Sequence, residues 1–206
     1  MLRVHRIPHS TNVERIALAC GLKGVEVHWV DHDPSDRSAI RAVSGQDLVP
    51  VLEADGEVVT DSPRILRWLD ARHPVPSLFP EADDGFREVD AFVDFFNHVW
   101  KAPPNRINEE LARPEPDEAR IAAWSAQMAA WLVGFEALLN GRDFLFGDAA
   151  TAADVVAFPF LKFGAIPLPP DDTDRFHRIL AERLPIAGRY SRLEAWVRRI
   201  DAFPRA

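Results

Sequence analysis

Apolar and polar residues alternate from Leu2 to His5 (Leu2 and Val4 against Arg3 and His5), the period-two signature of a half-buried strand. The run breaks at Pro8. Ser10, Thr11 and Asn12 follow, each able to cap a helix, and Val13, Ile16, Ala17 and Cys20 then recur on one face of an amphipathic helix. Gly21 and Gly24 read as its stop signals. A second strand is predicted over Val25–Val30 and a short helix from Ser35 or Asp36 through Val43. Two strands, Val49–Glu53 and Glu57–Thr60, flank the hairpin pair Asp55–Gly56. Asp61–Ser62–Pro63 opens a third helix, with Ser62 as N-cap and Pro63 at the first helical position. The order is β-α-β-α-β-β-α. The crossover helix makes the first two strands parallel neighbours, and the tight hairpin makes the last two antiparallel.

After the proline-rich stretch at 75–84 the strand pattern disappears. Val89, Phe92, Val93, Phe96 and Trp100 mark a helix disturbed by Pro103–Pro104. Further helical faces run through Ile121 to Phe135, from Thr151–Ala152–Ala153–Asp154, over Arg175–Leu184, and through Leu193 to Ile200. The chain thus divides into an α+β domain at 1–74, a linker at 75–84 and an all-α bundle at 85–206.

Composition narrows the function. A formal charge of −8 disfavours a nucleic-acid partner, which needs a basic face. Cys20 is the only cysteine, so no internal disulfide forms. The first residues lack an apolar signal core and no apolar run approaches membrane-spanning length, so a soluble, cytoplasmic protein without a membrane partner is expected. His5, His9 and His28 show no metal-ligand spacing, and no metal is expected.

Three features at their spacings resemble the glutathione transferase superfamily, in particular its serine-type, phi- and theta-like members, across essentially the whole chain. They are Val49–Pro50, Asp61–Ser62 before the third helix, and Thr151–Ala152–Ala153–Asp154 in the helical half. The resemblance implies a thioredoxin-like first domain with a cis peptide before Pro50, whose neighbour Val49 pairs by its backbone with the cysteinyl part of glutathione, a form of strand addition. It implies that Asp61 and Ser62 hold the amino and carboxylate groups of the γ-glutamyl end. Thr151 and Asp154 are expected to form a buried capping box with a structural role. Gln46 and Arg37 are further candidates for glutathione, Arg41 standing beside Arg37; His9 adjoins the site. Leu48 occupies the place before Val-Pro where the family often carries Gln or Lys.

The family's chemistry is attack by the glutathione thiolate on a small hydrophobic electrophile. A thiol of pKa near 8.5 is about 3% ionised at pH 7. Lowering that pKa by ~2 units favours the anion by ~2.7 kcal/mol, within reach of one charge-assisted hydrogen bond plus a helix N-terminus. Ser10 is the expected donor, with Thr11 and Asn12 as neighbours able to replace it. Tyr190, the sole tyrosine, lies too far along the chain, and Cys20 continues the apolar stripe and reads as core. The resemblance puts the electrophile pocket between the domains, with Asn97, Trp100 and Phe163 as candidates and Lys101 beside them. Glutathione enters as co-substrate, no other cofactor is implied, and a homodimer is expected. Two alternatives remain open: a non-catalytic thiol- or ligand-binding protein of the same fold, and an enzyme using another low-molecular-weight thiol.

Overall fold

The computed structural model describes residues 2–80 and 83–206. Of the expected linker, residues 81 and 82 lie outside the described residues. Two compact units emerge, Met1–Phe86 with Phe203–Ala206, and Arg87–Ala202.

In the first unit β1 (Leu2–Arg6), α1 (Thr11–Lys23), β2 (Val27–Asp31), α2 (Ser38–Ser44), β3 (Val51–Ala54), β4 (Glu57–Thr60) and α3 (Ser62–Arg72) follow one another. The sheet order is β2-β1-β3-β4. β1 is parallel to β2 and antiparallel to β3, and β3 is antiparallel to β4, giving the mixed four-stranded sheet expected from the pattern. Asp55 and Gly56 both take positive φ (51° and 81°), the turn that matches strand twist in a two-residue hairpin. Ile16, Leu18, Leu52, Ile65, Leu66 and Leu69 are excluded from solvent.

Two local readings change. α1 runs through Gly21 to Lys23 before Gly24 caps it. Gly21 instead admits the last residues of the chain: a Cβ there would lie 2.1 Å from the Pro204 carbonyl oxygen. The Ala206 N–H donates to the Ala17 carbonyl and the Trp29 indole to the Ala206 carbonyl (both 3.0 Å), so this segment groups with the first unit rather than with the helices. Periodicity carries no information about such a return. Asp61, not Ser62, is the cap residue of α3, which makes Ser62 its first helical residue.

The second unit holds most of α4 (Asp83–Phe95), then α5 (Ala102–Glu110), α6 (Glu118–Leu138), α7 (Ala152–Leu161), α8 (Arg175–Arg183) and α9 (Ser191–Asp201). Between α4 and α5 the helix widens to a π-helical turn, Phe96–Trp100, and Pro103 falls in the first turn of α5, where a missing N–H costs little. α6 is long and apolar enough to cross a membrane by length and composition alone; here it packs against α5 and α9, and Ile121, Met128, Leu132 and Phe135 are its buried residues. The start of α7 carries the capping box. Asp154 is fully buried and accepts from the Thr151 and Leu145 N–H groups (2.9 Å each), the Thr151 hydroxyl and the Trp196 indole (2.8 Å). Burial pushes its carboxyl up, and these donors pull it back.

Candidate active site

The strand ladders decide which residues meet. His5 pairs with Val51, and Val51 with Thr60. The residues just beyond each pair therefore share one end of the sheet: Ile7 to Ser10 after β1, Val49–Pro50 before β3, and Asp61–Ser62 after β4. Ile7, Ile40 and Val51 form a buried cluster there, with Val43 and Val49 packed against it, so α2 closes over this end. Three segments distant in sequence are thus adjacent because the register leaves them no other place.

Ser10 is the N-cap of α1, in extended conformation, and its Oγ accepts from the Val13 N–H at 3.5 Å. A hydroxyl that accepts from its own helix still has its O–H to donate. The turn before it holds His9 at φ 65°, a left-handed conformation uncommon outside glycine. Thr11 is buried at the first helical position. The helix N-terminus adds unpaired N–H groups and the positive end of the dipole.

The Val49–Pro50 peptide is cis. Asp61 is exposed, stands at φ 69° and makes no side-chain cap to its helix. Holding a non-glycine residue there costs about 1–3 kcal/mol, a kind of strain that gathers at functional positions. Ser62 is buried, and the Arg15 guanidinium donates to its Oγ at 3.0 Å. Arg15 is fully buried; burial pushes its guanidinium down to about 9, while the Asp61 charge holds it up. Sequence reasoning did not single out Arg15. A lone arginine inside the apolar run from Val13 to Cys20 was the available signal.

Other candidates are spent elsewhere. The Gln46 amide donates to the Leu48 carbonyl and accepts from the Leu48 N–H (2.8 Å each), closing its own turn. Arg37 donates to the carbonyls of Pro34 and Asp47, and Arg41 grips the Asp47 carboxylate with two bonds. These side chains shape the loop that delivers Val49 through bonds within it, and local polar closures of this kind leave no mark on periodicity. Cys20 is fully buried and burial pushes its thiol up to about 12, so it behaves as core.

The aromatic candidates of the helical unit are also corrected. Trp100 is fully buried, stacked on Phe96 at 4.5 Å and edge-on to Phe135 and Phe160. Phe163 is buried and stacked on His177 at 4.4 Å. Both belong to the aromatic core of their unit, because at helical spacing a large ring gains most by enclosure. Asn97 is half-buried and accepts from the Lys101 ammonium at 3.2 Å. Among the described residues no cluster of three or more His, Cys, Asp or Glu side chains suits a metal ion.

Comparison with known proteins fits this geometry. A family model of the glutathione S-transferase N-terminal domain matches residues 4–77, and one of the C-terminal domain matches residues 98–202. A maleylpyruvate isomerase from Ralstonia sp is 31% identical over 170 residues, which are 77% of this chain and 80% of that protein. A maleylacetoacetate isomerase from Pseudomonas aeruginosa is 27% identical over 171 residues, 78% of this chain and 80% of that protein. Among solved structures, a glutathione S-transferase from Methylobacillus flagellatus with glutathione bound shares the fold with a TM-score of 0.81, at 19% identity, over 97% of this chain and 94% of that one. A glutathione S-transferase from Rhodospirillum rubrum F11 gives 0.76 at 24% identity, over 99% and 89%.

Proposed function

The chain belongs to the glutathione S-transferase family, and from that premise we propose that it is a glutathione-dependent enzyme that isomerises the cis double bond of a maleyl-type unsaturated acid. The reading rests above all on one observation: Ser10 at a helix N-terminus, Val49–Pro50, and Asp61–Ser62 lie at the same end of one sheet. In this reading the Val49 backbone pairs with the cysteinyl unit and Asp61 and Ser62 receive the γ-glutamyl end. The Ser10 O–H donates to the thiolate without becoming a nucleophile.

The reaction then needs only the thiolate. It adds to an electron-poor carbon of the conjugated double bond, the former double bond rotates as a single bond, and the C–S bond breaks as the trans double bond re-forms. Glutathione is regenerated and no proton is gained or lost. Support for this outcome comes from the two isomerase relatives. The same activated thiolate attacking a small hydrophobic electrophile with a leaving group would give transfer, a second reading supported by the fold shared with glutathione S-transferases. A homodimer in the cytoplasm completes the proposal, its dimeric part readable by sedimentation.

Maleylpyruvate incubated with substoichiometric glutathione distinguishes the outcomes. Many turnovers per glutathione support isomerisation, and one glutathione consumed per aryl halide supports transfer. Absence of both reactions, together with no glutathione binding at millimolar concentration, would refute the proposal.

A further inference from the structure

Arg15 is a charged side chain with no solvent exposure, on α1, reaching the first residue of α3. Burying a guanidinium is expensive unless other groups use the charge. Its position suggests the use. We propose that Arg15, acting through Ser62, is the positioning residue that makes the N-terminus of α3 selective for the carboxylate of an α-amino-acid head group. The inference rests on the reading that Asp61–Ser62 receives the γ-glutamyl end of glutathione.

A guanidinium has donors only, and a serine hydroxyl has one proton and two lone pairs. Because Arg15 donates to Ser62 Oγ, one lone pair is occupied and the Ser62 proton is left to point away from the arginine, toward an incoming acceptor. The buried cation and the helix dipole add fields of the same sign at that oxygen. Pro63, the next helical residue, has no N–H, so this helix start offers fewer backbone donors than most, and recognition of an anion leans on Ser62. Asp61 supplies the opposite charge one residue earlier: it is exposed, and its carboxylate does not cap the helix. A fixed cation-backed hydroxyl beside an open carboxylate matches a ligand bearing a carboxylate and an ammonium on one carbon. A thiol lacking that head group would find one half of the pair unused.

The test compares dissociation constants, by calorimetry, for glutathione and for 4-aminobutyryl-cysteinylglycine, the same thiol without the α-carboxylate. The proteins are the full chain and its Arg15→Met, Arg15→Lys and Ser62→Ala variants. Arg15→Met is expected to weaken glutathione about tenfold or more, the scale of one charge-assisted hydrogen bond, with little change for the analogue. Arg15→Lys is expected to recover part of the loss. Equal weakening for both thiols would show a packing role and overturn the inference, as would unchanged glutathione binding. Should Arg15→Met not fold, Ser62→Ala keeps the buried guanidinium and must show the same carboxylate-specific loss; its absence overturns the inference. A wild-type protein that binds glutathione and the analogue equally overturns the inference alone. A wild-type protein that binds neither refutes the functional reading beneath it.

Discussion

Asp61 and Asp154 are both carboxylates at the start of a helix, and the chain uses them in opposite ways. Asp154, at the third position of α7, is fully buried and satisfied by donors from Leu145, Thr151 and Trp196. Asp61, at the cap of α3, is exposed and strained at φ 69°; its carbonyl accepts from the Ile65 N–H, but its carboxylate makes no cap bond to the helix. A helix start needs an acceptor, and Asp154 supplies one to its own chain. At α3 that local need is left open, and the conformation that leaves it open carries an energetic cost. The difference teaches that residue type alone does not tell a capping carboxylate from an open one, and on the proposed reading the open one at a costly conformation is the one that meets the ligand.

The largest effect is expected on the structural side. Asp154→Ala strands buried donors from three residues, and urea unfolding should show a loss of at least about 3 kcal/mol. A loss below about 1 kcal/mol would break the contrast. Asp61→Asn should do the reverse, weakening glutathione about tenfold while changing stability by less than about 0.5 kcal/mol. Asp61→Gly should lose binding as well and gain slightly in stability, because glycine adopts positive φ freely.

Glu110 lies nearer the structural extreme. It accepts from the Asp117 N–H and from Arg113, which hold its carboxyl below the usual range, the backbone donor first. A depressed folded-state pKa gives stability that is present above the ordinary carboxylate value of about 4.3 and lost as pH falls through the folded value. Glu110→Gln should flatten that acid limb in pH-dependent unfolding. The smallest effect is predicted for Cys20: native protein should resist iodoacetamide at neutral pH, and Cys20→Ala should keep glutathione-dependent turnover. Rapid alkylation with loss of turnover would mean that the thiol, not Ser10, serves the chemistry.

Much of this was legible before the fold was known, and the reason is physical. Ser10, the Asp55–Gly56 hairpin, Asp61–Ser62 and the Thr151–Asp154 box are local signals, each fixed by backbone geometry within a few residues. The alternation of Leu2 to His5 and of Val25 to Val30 then dictated a sheet, and the sheet brought the signals together. What stayed hidden depends on contacts between distant segments. Arg15 becomes meaningful only when α1 and α3 are packed, and the return of Ala206 to α1 only when Gly21 is seen beneath it. The loop bonds of Gln46 and Arg37 stayed hidden as well, because a polar side chain near a site can close on its own loop without any trace in the pattern. Trp100 and Phe163 misled because a large ring on a helix is enclosed whenever its neighbours permit.

The most direct test of the account is the ionisation of bound glutathione, followed by the ultraviolet absorbance of the thiolate as pH is varied. Wild-type protein should lower the thiol pKa by about 2 units from its free value near 8.5, and Ser10→Ala should return most of that shift. A bound thiol that titrates identically in wild type and Ser10→Ala would contradict the role assigned to the start of α1.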